Sequence, residues 1–324
     1  YEQYDHMVQT NTVALPGAAD AAVLRLKDSG KAISLTTDGN GAYCYLDPFT
    51  GGMIAVCEAA RNVVCTGAEP IALTNCLNFG NPEKPDVMWQ FKQTVEGMIE
   101  ACKALNIPVI SGNVSFYNEN NGVAVYPTPV IGMLGLIDGD IGNEIKRCTM
   151  DFKAKGDVIV LLGSNKDELG GSEYLKVIHG KVAGCPPELD LSVEKSVQQT
   201  CLEAIRNGLV RSAHDTSEGG LAAAVSECCI TGNIGAMLSL MDDLSPVALL
   251  FSETQSRIIL SISPENLFLL EKIAVRYRAR IDVIGKVGGN NLTLKKGSRT
   301  LIDIPVQDLS GAYYGSIENT MEVK

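Results

Sequence analysis

At 324 residues, 45% hydrophobic and 20% charged, the chain has the composition of a globular protein and the length of roughly two domains. A formal net charge of −11 argues against nucleic acid as a partner, because a polyanion is bound through clustered cations. It leaves room for a small phosphate ligand held by loop amides and a metal. No apolar run approaches the ~18 residues of a membrane span and no signal peptide is visible, so no membrane contact and a cytoplasmic location are expected.

The ten cysteines are scattered, without paired CxxC motifs or a Cys/His cluster. That favours buried free thiols at Cys57, Cys65, Cys102 and Cys201 over disulfides or zinc. A first residue, Tyr1, that is not Met suggests a fragment or excised domain.

Residues 1–17 show no period and read as an entry arm, with Tyr4-Asp5-His6 its polar cluster; a lone His there suits a surface or packing role better than a base. Asp20–Leu26 fits a short strand or a helix. Lys31–Thr37 alternates as a strand does and ends in Asp38-Gly39-Asn40-Gly41, which suits a metal-facing loop and a hairpin turn equally. Gly52–Cys65 is helical, with Met53, Val56, Ala60 and Val63 on one stripe and Gly67 as cap. Pro70–Leu73 reads as a strand entering a polar loop, Thr74–Pro82.

Pro85–Leu105 is the clearest helix, with Met88, Phe91, Val95, Met98, Ile99, Cys102 and Leu105 at three- and four-residue steps. Ile107–Ile110 then reads as a buried strand running into Ser111-Gly112-Asn113-Val114-Ser115. Gly112 permits close backbone approach, Asn113 offers a neutral oxygen to a Mg²⁺ shell beside phosphates, and Ser115 offers a hydroxyl; an ordinary turn uses the same residue types. Strand–helix–strand order from 71 to 110, with further strands at Val123–Tyr126 and Val130–Ile137, makes the first domain α/β, with ligands expected at strand ends.

The polar stretch Asp138–Gly156 reads as a linker, separating domains at 1–142 and 150–324. Asp157–Leu162 opens the second as an apolar strand, emptying into a loop whose Gly170-Gly171-Ser172 precedes a helical pattern. Amides at such an N-terminus could hold phosphate, although the ending of a Walker loop is missing. Val193–Asn207 is a helix capped by Gly208, and His214-Asp215-Thr216-Ser217-Glu218-Gly219-Gly220 precedes another at Leu221–Cys229, with Asp215 or Ser217 as N-cap. Glu253, Gln255 and Arg257 crowd the mouth of the strand Ile258–Ile262, as a polar site or an edge salt bridge would. Ala279–Val287 and Leu292–Leu294 complete the second sheet.

Six segments carry a resemblance: TTDGNG (36–41), AEPIALTNCLNFGNPEKPDVMWQF (68–91), PVISGNVSFYNE (108–119), ELGGSEYL (168–175), HDTSEGGL (214–221) and LFSETQSR (250–257). Together and in this order they resemble the C-terminal half of the phosphoribosylformylglycinamidine synthase family, from Tyr4 to about Leu309. The resemblance implies a two-domain unit like aminoimidazole ribonucleotide synthetase, α/β (α+β), whose N-terminal domain pairs with an equivalent domain to close a β-barrel. It implies an ATP-dependent carbon–nitrogen ligase of purine biosynthesis, with ATP and Mg²⁺ as cofactors. Formylglycinamide ribonucleotide and glutamine-derived ammonia would be converted to the amidine.

Carried over residue by residue, the resemblance implies that Asn75 and Gly112 contact ATP, Asn113 ligates Mg²⁺ and Ser115 touches the ribonucleotide. Asn75 stands where other members can carry Asp. The first half of the family resembles Glu-Ser-His-Asn-His where this chain has Asp38-Gly39-Asn40-Gly41-Ala42, so the catalytic His is replaced by Asn40, which cannot shuttle a proton. An Arg-Asp metal pair there becomes Arg61-Asn62. A pseudo-symmetric auxiliary nucleotide site of Asp38, Asn62, His214 and Asp215 is the corresponding expectation, with no catalytic group in this half.

The implied partners are the N-terminal half of the same enzyme, a glutaminase subunit with a small accessory subunit or a fused glutaminase domain, and the ribonucleotide. The isolated chain is expected to be inactive and to self-pair as a homodimer through its open sheet edge. Two alternatives stand beside this. One is a complete small-molecule kinase or synthetase of the same superfamily, such as thiamine monophosphate kinase or selenide water dikinase. The other is a purely structural half that docks the glutaminase.

Overall fold

The computed structural model describes residues 6–139 and 145–322. Tyr4 and Asp5 of the N-terminal polar cluster and residues 140–144 of the expected linker lie outside the described residues.

Strands Thr12–Ala14 (β1), Ala22–Arg25 (β2) and Ala32–Asp38 (β3) are followed by helices Gly41–Leu46 (α1) and Pro48–Cys65 (α2). Then come Glu69–Asn78 (β4), helix Pro85–Leu105 (α3), Val109–Ser115 (β5), the short strands Glu119–Asn120 (β6) and Val123–Ala124 (β7), and Thr128–Ile137 (β8). The first sheet has the order β1-β2-β3-β8-β4-β5. Its pairings are antiparallel except β4–β5, a parallel pair joined through α3. Along β8 burial alternates strictly, with Ile131, Met133 and Ile137 in the core beneath α2 and α3, as one covered face requires. Close packing of the two helices rests on small residues: a Cβ on Gly97 would stand 2.0 Å from the Phe49 carbonyl oxygen.

The second sheet contains Val158–Leu162 (β9), then, after helices Glu173–His179 (α4) and Leu191–Arg206 (α5), Val210–Asp215 (β10). Helix Gly220–Gly232 (α6), Ala236–Leu240 (β11), helix Pro246–Phe251 (α7) and Ile258–Ile262 (β12) follow. Helix Leu267–Tyr277 (α8), Ile281–Val287 (β13), Asn291–Lys296 (β14), Arg299–Pro305 (β15) and helix Val306–Glu322 (α9) complete it. The strand order is β10-β12-β9-β13-β11-β14-β15. Every residue of β9 and β12 is buried. Val158, Val160 and Leu162 face Val197, Cys201 and Leu270, whereas Ile159 and Leu161 face Leu221 and Val225. Helices cover both sides, which is why these strands read as continuous apolar runs. The architecture is a mixed α/β two-domain fold, and the first sheet is open, with β1 and β5 at its edges.

Several expectations are corrected. Thr74–Asn78 is not loop but the second half of β4, paired with β8 on one side and β5 on the other. The stretch expected as a buried strand and loop is a single edge strand: Val109 is 49% and Ile110 66% exposed, because β5 is the last strand of its sheet and among the described residues no strand pairs with its free side. Asp38–Gly41 forms no hairpin turn; Asn40 accepts from the amides of Ala42 and Tyr43 and caps α1. Helix α2 is not one-sided. It is buried almost all round, including Glu58 and Arg61, since both domains pack on it. Asp20–Leu26, left between strand and helix, contains β2.

Seven cysteines are buried, Cys76 and Cys102 are half-buried, and Cys185 is exposed, all with free thiols. Burial pushes Cys44, Cys148 and Cys229 up to about 12. Among the described residues no helix is long and apolar enough to cross a membrane.

Candidate functional site

The four residues expected at the ATP and substrate site lie on two neighbouring strands, Asn75 and Gly112 on one face and Asn113 and Ser115 on the other. In the β4–β5 register Asn75 pairs with Gly112, Cys76 with Asn113 and Asn78 with Ser115. The Asn75 carboxamide lies against the Gly112 backbone, where an added Cβ would stand 2.2 Å from Asn75 Oδ1. The close neighbour that requires glycine at 112 is this carboxamide of the chain itself. Asn113 is exposed on the outer strand. Its neutral carboxamide can serve as one oxygen ligand in a Mg²⁺ shell otherwise made of water and phosphate. Ser115, at the end of β5, is half-buried beside Asn118.

The expected auxiliary set is brought together only in part. Asn62 donates to Asp38 Oδ2 at 2.8 Å, and Asp38 and Glu58 lie close enough to Glu218 and Asp215 for those carboxylates to raise the proton affinity of both. Burial, then Glu218 and Asp215, lifts Asp38 to about 7. Burial lifts Asp215 to about 6 against the opposing pull of Arg61, and burial followed by Asp38 raises Glu58 well above the carboxylate range. His214 does not join them. Successive residues of β10 face opposite ways, and the His214 ring lies between Asp20 (Nδ1, 2.6 Å) and Glu227 (Nε2, 3.0 Å). Burial opposes its charge, yet Asp20 and Glu227 hold its pKa well above the ordinary value.

Arg61 is the centre of the junction between the domains. Fully buried, it donates from Nε to Asp215 Oδ1, from Nη1 to Glu194 Oε2 and from Nη2 to Gln255 Oε1, each at 2.7 Å. Asp215 therefore pairs with Arg61 instead of capping a helix, and Ser217 does not cap it either; Gly219, at φ 78, is the residue before α6 and offers no side-chain cap. Among the described residues no group of three or more His, Cys, Asp or Glu side chains is arranged to hold a metal ion. Two buried atoms here, Asp215 Oδ2 and Thr216 Oγ1, have no hydrogen-bond partner among the described residues.

The Gly-Gly-Ser amides expected to hold phosphate are already engaged. The Gly171 amide donates to the Ala183 carbonyl at 3.0 Å and the Ser172 amide to the Leu169 carbonyl at 3.2 Å; beside them Glu253 Oε1 accepts from the amides of Glu173 and Gly219, both at 2.8 Å, and its other oxygen accepts from the Tyr43 hydroxyl. Arg257 makes no edge salt bridge: it lies within the sheet and donates to the carbonyls of Thr254 and Ser252 and to Asn165 Oδ1, its pKa pulled down by burial to about 10. Asp20, Tyr43, Glu58, Glu194 and Glu227 escaped the sequence reading. A signal did exist for one pair: Glu58 and Arg61 sit three residues apart within an otherwise apolar helix.

Two family models match the chain in order: AIR synthase related protein, N-terminal domain, over residues 18–137, and AIR synthase related protein, C-terminal domain, over residues 154–296. The phosphoribosylformylglycinamidine synthase subunit PurL of Caldanaerobacter subterraneus subsp. tengcongensis is 52% identical over 322 residues, covering 99% of this chain and 43% of that protein. The chain thus spans less than half the length of this curated relative. Among solved structures, Thermotoga maritima PurL complexed with FGAR superposes with a TM-score of 0.78 at 22% identity, over 93% of this chain and 49% of that one. The T. maritima PurL complexed with ATP gives 0.68 at 24% identity, over 90% and 46%. At those identities the structures share the fold.

Proposed function

Because the chain belongs to the AIR synthase related family, we propose that it is the C-terminal half of a phosphoribosylformylglycinamidine synthase. In that reaction ATP phosphorylates the glycinamide carbonyl oxygen of formylglycinamide ribonucleotide, and ammonia from a glutaminase partner displaces phosphate to leave the amidine. The observation that carries the proposal is 52% identity across 99% of the chain to a PurL subunit. The placement of Asn75, Gly112, Asn113 and Ser115 on the adjacent strands β4 and β5, the outer one exposed, supports it.

Gly112 lets a nucleotide approach the backbone, and Asn75 offers it a neutral hydrogen-bonding group. Asn113 contributes one oxygen toward Mg²⁺, which when bound offsets charge on the transferring phosphoryl group. Ser115 contacts the ribonucleotide. No proton moves through this half, since Asn40 is occupied as a helix cap and as a donor to Glu218 at 3.1 Å. The site is completed by the N-terminal half, whose equivalent sheet closes a barrel against the open one here; the isolated chain pairs with a second copy in its place. The division at 1–142 and 150–324, the glutaminase and accessory partners and a cytoplasmic setting belong to the same proposal. An auxiliary nucleotide site at Asp38, Asn62 and Asp215 is favoured by the unpartnered Asp215 Oδ2. His214 acts there only by bracing β10.

The test is amidine formation from ammonia, ATP and the ribonucleotide. The isolated chain is expected to give none, and Asn113→Ala in the full-length enzyme is expected to cut turnover. Turnover by the isolated chain at the full enzyme's rate would overturn the composite site. Undiminished activity in the mutant would favour the purely structural half.

A further inference from the structure

Just beyond Ser115 the chain makes a tight return. Tyr117 takes a left-handed φ of 60°, uncommon and costly for a bulky residue, about 1 kcal/mol or more. The return is held by backbone bonds from the Tyr117 amide to the Gly80 carbonyl and from the Asn118 amide to the Phe79 carbonyl, at 2.9 and 3.1 Å. Beneath it Phe79, Phe91 and Phe116 pack ring against ring. What the turn delivers is the Asn118 carboxamide. Its Nδ2 stands 2.8 Å from the Ser115 carbonyl and 3.1 Å from the Phe79 carbonyl, while its Oδ1 lies 3.2 Å from Ser115 Oγ.

These contacts fix which way the amide points. The reverse orientation would press Oδ1 against two carbonyl oxygens, so Nδ2 must face them and spend its two protons there. Although Nδ2 is also 3.1 Å from Ser115 Oγ, it then has no proton left for that hydroxyl. The Ser115 hydroxyl donates to Asn118 Oδ1 at 3.2 Å, which leaves its oxygen free to accept.

Resting on the proposed role of Ser115, we propose that Asn118 is a positioning residue that turns Ser115 into an obligate hydrogen-bond acceptor. Ser115 then recognises a donor on the ribonucleotide, a ribose hydroxyl or an amide N–H, and not its phosphate. Asn118 reaches the substrate only through Ser115. Its loss weakens ribonucleotide binding in ground and transition state alike, which raises KM and leaves kcat in place.

The experiment uses the full-length enzyme and measures KM for ribonucleotide and for ATP, with kcat, in Ser115→Ala, Asn118→Ala and the double variant. Each single change is expected to raise the ribonucleotide KM by roughly 5–10-fold, the size of one lost hydrogen bond, with the ATP KM unmoved and the double variant no worse than Ser115→Ala. Should Asn118→Ala not fold, Asn118→Gln is informative, because it keeps the carboxamide's donors and acceptor but moves them a methylene away from Ser115; the same KM rise is expected. Ser115→Ala without effect on ribonucleotide KM removes the Ser115 assignment, and this proposal with it. An effective Ser115→Ala beside a silent Asn118 variant, or fully additive effects, overturns the proposal alone.

Discussion

The Nε of Arg61 donates to Asp215 Oδ1 at 2.7 Å, joining the central helix of the first domain to the end of a strand in the second. Both groups are buried, and Arg61 has two further partners, Glu194 and Gln255, at the same distance. Removing one member of such a network strands its partners without countercharge.

Arg61→Met is therefore expected to destabilise the chain by about 3–5 kcal/mol, read by chemical denaturation. Arg61→Lys retains the charge but not the planar fork that reaches three acceptors, and is expected to recover only part of the loss. A stability within 1 kcal/mol of wild type for Arg61→Met would contradict the role assigned to the junction.

Asp38 carries a pKa raised to about 7 by burial and by its acidic neighbours. A carboxyl group that binds its proton more tightly when folded makes the unfolded state the poorer proton binder, so stability falls as pH rises from about 4 towards 7. Asp215, raised to about 6, acts in the same direction. Asp38→Asn is expected to flatten this slope and to be more stable than wild type at pH 8 by about 1–2 kcal/mol, with little gain at pH 4. Parallel thermal unfolding curves from pH 4 to 8 provide the check.

Gly112→Ala sets a methyl group 2.2 Å from Asn75 Oδ1 and must push that carboxamide aside. Because β5 is an exposed edge strand, the fold is expected to tolerate the change, with the midpoint of thermal unfolding nearly unmoved. ATP affinity of the full-length enzyme, measured by calorimetry, is expected to fall about 10-fold, the order of a lost hydrogen bond to a charged ligand. Unchanged affinity would detach Asn75 and Gly112 from nucleotide binding.

Local structure was legible in the sequence where one covered face imposed a period. Pro85–Leu105 has the bounds its apolar spacing predicts, and the apolar run Asp157–Leu162 is a strand at Val158–Leu162, buried throughout. The expectation failed where burial comes from another part of the chain or from none of it. Val109 and Ile110 have the composition of a core strand, yet they sit exposed at an edge. Asp215 looks like a helix cap in its own segment, and only Arg61, 154 residues away, makes it an ion-pair partner. Asn75, Gly112, Asn113 and Ser115 lie on adjacent strands because β4 and β5 are parallel neighbours, and their division between the two faces of the sheet follows from alternation along each strand. The orientation of His214 depended on Asp20 and Glu227, neither of which has a motif to announce it.

The distribution of free thiols equips the molecule with its own reporters of breathing. Cys185 is exposed while Cys57 is sealed in the first core and Cys228 in the second, so an alkylating reagent marks Cys185 at once and the other two only when their surroundings open. Cys65 and Cys201 share the packed layer where α2 meets α5, and their labelling times the separation of the halves. Following those sulfurs by peptide mass would rank the opening of each core and of the seam between them, with no residue changed.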